Sequence, residues 1–361
     1  MIDAAARARA ADLLARFRAA GARPVETAIL QPAGTLLELY GEDIRARAFT
    51  TTDPLAGEMM LRPDFTVPVA QAHMSGGAAP ARYAYAGEVF RRQEDDDGRP
   101  REYLQVGFEI FDGADAAAAD AEVFALFAEV LAPWAPIAAT GDLGLLTAAV
   151  DGLTTSERRR AALRRHIWRP ARFRRLMERF GGAVPAPERA ALLARLERAT
   201  PEALIAEAGT AVGKRGPDEI AARLVALQED AGLPPVSAIE AQAIDALLDL
   251  DAPMAAAVER VRDLAVDLPA LGPACDRLAA RAEALAARGV DVDALPFAPA
   301  RGRTAMEYYD GFTFSFARPG AGGPAIASGG RYDALTARLG DGRAVPAVGG
   351  VIRPGLLEDA P

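Results

Sequence analysis

Three side chains on one short stretch have the types needed to grip a zwitterion: Arg91, Gln105 and Glu109. Arginine presents a planar fork that matches a carboxylate with two parallel hydrogen bonds. A carboxylate suits a cationic or N–H group. The three lie on two alternating runs, YAYAGEVFRR (83–92) and REYLQVGFEIF (101–111). Strand side chains alternate between faces. Leu104, Val106, Phe108 and Ile110 therefore share an apolar face. Tyr103, Gln105, Gly107, Glu109 and Phe111 share the other, with a bare glycine between amide and carboxylate. Glycine weakens a strand and often marks close approach of a ligand or of another backbone. The first run sets Tyr83, Tyr85, Gly87, Val89 and Arg91 together, so an antiparallel hairpin would bring Arg91 towards Gln105 and Glu109. An amino acid fits such a face, and nothing in the pattern says which. Alternation alone equally fits a half-exposed sheet whose polar residues meet water.

Other chemistry is scarce. There is one cysteine, Cys275, and there are two histidines, His73 and His166, too few for a four-ligand zinc site or an intrachain disulfide. The single lysine, Lys214, lies in GKRG without a phosphate-binding glycine loop. No cofactor or metal is expected, and any chemistry must come mainly from carboxylates, arginines, tyrosines and backbone. A net charge of -9 argues against a surface built for nucleic acid, and no apolar run approaches the ~20 residues of a membrane span. The N-terminus carries Arg7, Arg9, Arg16 and Arg18 within its apolar pattern, unlike a secretory signal. The expectation is a cytoplasmic chain.

The positioning elements come in three zones. Residues 1–150 mix helix (4–20 and 115–131) with strand (24–30, 47–51, 58–62, 82–91 and 102–111). Residues 151–300 read as helix, rich in Ala, Leu, Arg and Glu and broken by Pro and Gly. Residues 301–361 return to strand at 306–309, 312–316 and 344–352. The predicted fold is α+β: an antiparallel sheet flanked by helices and interrupted by a mainly helical insertion.

Four segments in order carry a family resemblance. YAGEVFRRQEDDDGRPREYLQVGFE (85–109) resembles the second motif of class II aminoacyl-tRNA synthetases, most closely the histidyl-tRNA synthetase family. LRPDFT (61–66), AMEYYDGFTF (305–314) and SGGRYDALTARLG…PAVGG (328–350) resemble further segments of that family. The resemblance implies a histidine site. Asp64 and Thr66 would hold the α-ammonium, Arg91 and Gln105 the carboxylate side, and Glu109 with Tyr308 and Tyr309 would line the imidazole pocket. Departures from the synthetase pattern are equally specific. Thr304 stands where the family has an arginine that promotes amino-acid activation, Leu356 where it has one that holds ATP, and Glu94, Asp95, Asp96 and Asp97 crowd the hairpin loop. No anticodon-binding domain is expected after residue 361. This combination resembles the ATP phosphoribosyltransferase regulatory subunit family. Membership would imply a non-catalytic partner of the short-form catalytic subunit in the first step of histidine biosynthesis. It would also imply feedback inhibition with histidine as effector, and self-association through the synthetase-like core. The alternatives are a truncated synthetase-like enzyme that activates an amino acid with ATP, and a scaffold with a vestigial pocket.

Remaining features read as structural. The run from Arg158 to Arg175, interleaved with Trp168 and Phe173, reads as a solvated helix face or a partner contact. His73 reads as packed, His166 as a surface residue and Cys275 as a buried small hydrophobe. Gly329-Gly330-Arg331 reads as a tight turn or a phosphate cradle. On a strand, only one of Tyr308 and Tyr309 could face the pocket.

Overall fold

A computed structural model describes residues 2–40, 47–93, 100–182, 187–209, 215–302, 308–320 and 324–357. Helix α1 (Ala4–Ala19) is started by the Asp3 carboxylate, which accepts from the Ala6 N–H. Its Leu13 and Phe17 are buried, and the Phe17 ring lies 5.4 Å from that of Phe108 on the central sheet. Strands β1 (Arg23–Pro24) and β2 (Leu30–Pro32) follow, then α2 (Ala33–Tyr40), β3 (Thr50–Asp53), β4 (Gly57–Leu61) and α3 (Thr66–Met74). The long hairpin is β5 (Ala81–Phe90) and β6 (Glu102–Phe111), leading to α4 (Ala116–Leu131), β7 (Ile137–Asp142) and α5 (Leu143–Asp151).

The next stretch is helical through most of its described length: α6 (Glu157–Arg164), α7 (Pro170–Phe180), α8 (Pro187–Leu196), α9 (Pro201–Glu207), α10 (Pro217–Ala231) and α11 (Ala238–Leu248). It then returns to the sheet through β8 (Ala252–Pro253), α12 (Met254–Asp267), α13 (Gly272–Ala287) and β9 (Pro296–Phe297). The last part holds β10 (Phe312–Ala317), β11 (Ala327–Arg331), α14 (Asp333–Leu339) and β12 (Ala347–Ile352).

Among the described residues, nine strands form one sheet in the order β1-β5-β6-β12-β11-β10-β7-β9-β8. Pairing from β5 through to β7 is antiparallel, while β1 and β9 add parallel to β5 and β7. A smaller sheet runs β2-β4-β3. Buried ions tie the helices to the large sheet. Arg281 on α13 donates to Asp120 on α4 at 2.7 Å and to Asp142 at the end of β7 at 2.6 Å, and Arg331 on β11 donates to Asp120 at 2.7 Å. Removing one member of such a cluster strands a buried charge, which typically costs ~3–5 kcal/mol.

Several expectations change in detail. The strand predicted over 24–30 is two short strands in different sheets, because the chain crosses from one sheet to the other there. Residues 329–331, expected as a turn, lie in β11. A Cβ on Gly329 would sit 2.3 Å from both the Gly349 carbonyl and the Phe314 ring, so the glycine admits a crossing side chain. Tyr308 and Tyr309 are not in a strand, while Met306 and Glu307 lie outside the described residues, as do Thr304, Lys214 and the acidic loop residues. The arginine-rich run finds carboxylates. Arg159 is buried against Asp230 at 2.6 Å, Arg160 and Arg164 bond Glu157, and Arg174 lies 3.5 Å from Asp249. His73 is packed, stacked on Phe111 with centroids 4.0 Å apart. Cys275 is buried, and burial pushes its thiol pKa up.

Candidate functional site

The β5–β6 register sets Tyr83 opposite Glu109, Tyr85 opposite Gly107 and Gly87 opposite Gln105. Each pair shares a face, as alternation requires. The face is not solvated: Gln105 is 1% exposed and Glu109 0%. Both faces of β6 are covered, which removes the reading of a half-exposed sheet. The bare position at Gly107 is taken by the Tyr85 ring, not by a ligand. A Cβ there would lie 2.1 Å from Tyr85 Cζ. Tyr85 in turn stacks on Phe65, with centroids 4.4 Å apart and planes at 11°.

This packing aims three hydroxyls at one carboxylate. Thr66 Oγ1 at 3.0 Å and Tyr85 Oη at 2.8 Å donate to Glu109 Oε1, and Tyr332 Oη donates to Oε2 at 2.7 Å. On β12, Gly349 leaves the necessary space, since a Cβ there would fall 1.6 Å from Oε2. Burial raises the Glu109 carboxyl to about 7 despite the three donors, with the Asp64 charge adding to the rise. Oε1 accepts twice and Oε2 once, which leaves acceptor capacity on Oε2. What this floor accepts is an N–H or O–H donor.

Above it lies a cleft of about 740 Å³, of a size that suits a small molecule. Asp64, Thr66, Arg91, Gln105, Tyr308 and Tyr309 all line it. Glu109 is not on the wall; it reaches the cleft through Thr66, whose hydroxyl bonds it. Asp64 and Thr66 are each 3% exposed, held at the start of α3 after Arg62. Arg62 anchors that turn by donating to the Glu88 carbonyl at 2.8 Å and the Thr27 carbonyl at 2.6 Å. Arg91 Nε donates to the Pro63 carbonyl at 2.9 Å, which ties the hairpin to the same turn. Gln105 Oε1 is buried with no hydrogen-bond partner among the described residues. Such an orphan is costly unless a ligand or water satisfies it.

Both tyrosines line the cleft, against the expectation that only one could. Residues 308 and 309 follow no strand alternation, and their rings meet edge to face at 4.9 Å and 70°. Gly330 makes room for Tyr309, whose ring would lie 2.9 Å from an added Cβ. Burial raises the Tyr309 hydroxyl pKa, so it remains protonated.

The residue-by-residue reading missed Tyr85 and Tyr332. Tyr85 stands directly opposite Gly107, so a bare glycine facing a tyrosine was the available signal. Tyr332 sits beyond β11, and only the fold brings it to Glu109. It also missed Arg353. Arg353, three residues before Leu356, lines the cleft and donates to the Ala325 carbonyl and Ser328 Oγ at 2.9 and 3.0 Å. Among the described residues no His/Cys/Asp/Glu group could hold a metal, and no helix is long and apolar enough to cross a membrane.

A family model described as histidyl-tRNA synthetase matches residues 3–233 and 221–354. An ATP phosphoribosyltransferase regulatory subunit from Mesorhizobium japonicum is 34% identical, with 94% of each chain covered. One of the same name from Chelativorans sp. is 33% identical, again over 94% of each. Among solved structures, a Bacillus halodurans protein described as ATP phosphoribosyltransferase regulatory subunit/histidyl-tRNA synthetase aligns with TM-score 0.66 and 22% identity, covering 97% of this chain and 78% of that one. A histidine–tRNA ligase subunit from Alicyclobacillus acidocaldarius aligns with TM-score 0.59 and 24% identity, covering 97% and 90%. These neighbours share the fold predicted from the sequence, a class II synthetase-like sheet flanked by helices.

Proposed function

We propose a function from the premise that this chain belongs to the histidyl-tRNA synthetase-like family of ATP phosphoribosyltransferase regulatory subunits. It acts as the non-catalytic regulatory subunit of that transferase, partners a short-form catalytic subunit, and carries histidine as its feedback effector in the cleft beside β6. The observation that carries the ligand assignment is the buried Glu109 carboxylate, which stands behind the cleft-lining Thr66 and accepts its hydroxyl.

Each end of histidine has a counterpart. Asp64 and the unsatisfied Gln105 Oε1 suit an α-ammonium, which brings three donors. This moves Gln105 from the carboxylate side to the ammonium side, because the orphaned atom is an acceptor. The Arg91 guanidinium suits the carboxylate. The imidazole N–H suits the Thr66 hydroxyl oxygen, backed by Glu109, with Tyr308 and Tyr309 as aromatic walls. Regulation then requires histidine to bind one state of the complex better than the other, and ~1–3 kcal/mol of coupling gives roughly 5–150-fold control. Self-association through the synthetase-like core and a cytoplasmic location belong to the same reading.

Reconstitution tests it. A short-form catalytic subunit assayed alone should be slow, speed up when this chain is added, and slow again with histidine. An unchanged transferase rate on mixing rejects the regulatory role.

A further inference from the structure

The tyrosine pair that walls the cleft and the tyrosine that reaches its floor are joined at one side chain. Asp310 directly follows Tyr308 and Tyr309. Its carboxylate accepts from the backbone N–H of Asp333 at 3.2 Å and from that of Ala334. Those two amides directly follow Tyr332, whose hydroxyl donates to Glu109 at 2.7 Å. The backbone repeats the link, since the Asp310 N–H donates to the Arg331 carbonyl at 3.1 Å. On the other side, the Gly311 carbonyl accepts from the Leu143 N–H at 2.9 Å. The rings meet as the backbones do: Tyr308 and Tyr332 lie edge to face with centroids 6.1 Å apart.

Asp310 is half-buried, and its hydrogen-bond donors among the described residues are those two backbone amides. Arg331, the cation that faces it, donates instead to Asp120 at 2.7 Å and to Asp333 at 3.0 Å. Behind that cluster Arg281 bonds Asp142. Burial and the Asp333 charge raise the Asp310 carboxyl to about 7, although both amides and Arg331 lower it. At pH 8 the ionised group therefore costs the fold stability. Such a cost is characteristic of groups that organise a site.

We infer that Asp310 is a positioning residue: its carboxylate fixes the Tyr332 turn to the Tyr308–Tyr309 segment and so sets the spacing between the wall and the floor of the cleft. Asp310 itself does not line the cleft. The role deepens the histidine reading and rests on it for the effect on affinity.

Asp310→Asn keeps the shape, but its amide nitrogen cannot accept, so one of the two N–H groups loses its partner. Measurements on the full chain at pH 8 test the role. Calorimetry should show histidine affinity falling roughly fivefold or more. Urea unfolding should show the variant at least as stable as the parent, because the buried charge has gone. Hydrogen exchange without ligand should speed up across residues 331–335. A double-mutant cycle reads the route: in a Tyr332→Phe background the same substitution should change affinity less than in the parent. Stability and affinity falling together would mark a merely structural residue and overturn the inference. So would a variant that does not fold, unchanged affinity in a chain that binds histidine, or an undiminished effect without the Tyr332 hydroxyl. A parent that binds no histidine rejects the histidine reading alone. Exchange then decides: faster exchange in a stable variant upholds the positioning role, and unchanged exchange overturns it.

Discussion

Glu109→Gln separates the ligand role of Glu109 from its structural cost. Burial lifts this carboxyl from 4.5 to about 7 in the folded chain. An acid whose folded pKa is raised keeps more protons folded than unfolded between those values. Its contribution to stability is therefore fully present below about 4.5 and is lost as pH rises through about 7. The span is about 2.5 units, worth on the order of 3 kcal/mol at 1.36 kcal/mol per unit. Glutamine has no charge to bury. Its carbonyl oxygen can accept from Thr66 and Tyr85, and its amide can donate to Tyr332, whose hydroxyl rotates to accept. The variant should thus match the parent near pH 5 and be more stable near pH 8, by up to about 3 kcal/mol. Asp310, which burial also raises to about 7, retains its own part of the pH dependence, so the slope should lessen without vanishing. Histidine binding should move the other way. Losing the charge behind Thr66, the acceptor for the imidazole N–H, costs about 1.5–3 kcal/mol, or roughly 10–100-fold in affinity. Urea unfolding at pH 5 and 8 with calorimetric histidine titration reads both effects. Unchanged histidine affinity in a folded variant would refute the ligand role, and a parental pH slope would refute the buried-charge argument.

Other outcomes follow from the same contacts. Tyr332→Phe removes the one hydroxyl among the described residues that donates to Glu109 Oε2 and should cost about 1–3 kcal/mol at pH 8 and less at pH 5, read by urea unfolding. Gly107→Ala would drive a methyl into the Tyr85 ring; it should cost about 1–3 kcal/mol and weaken histidine binding by displacing a donor to Glu109, read by unfolding and calorimetry. Arg281→Met leaves Asp120 and Asp142 short of a buried partner and should cost ~3–5 kcal/mol, measured by denaturation, with the defect at neutral pH easing in acid. The purified chain should support no histidine-dependent exchange of pyrophosphate into ATP; clear exchange would revive the amino-acid-activating enzyme.

The hairpin was legible in the sequence because period-2 alternation dictates which side chains share a face, and Gln105 and Glu109 do face the side of Tyr83 and Tyr85. Whether that face meets water depends on what packs over it. Here Tyr85 on the facing strand covers it, and Phe65, which only the fold brings there, stacks on Tyr85. Gly107 and Gly349 show the same limit. A glycine announces close approach but not the visitor, and the visitors are the Tyr85 ring and the Glu109 carboxylate. Tyr332 and Arg353 were out of reach for a different reason. Their partners lie 223 and 25 residues away in the chain, across strand pairings that no local pattern encodes. β11 was hidden because its glycines mimic a turn.

The central claim is that histidine bound beside Glu109 governs a partner's activity. The direct measurement is the transferase rate of the reconstituted complex as histidine is raised, performed with the parent chain and with Glu109→Gln. The account predicts inhibition whose midpoint tracks the calorimetric affinity of this chain and rises roughly 10–100-fold in the variant. Inhibition with the same midpoint in both would locate the effector elsewhere and contradict it.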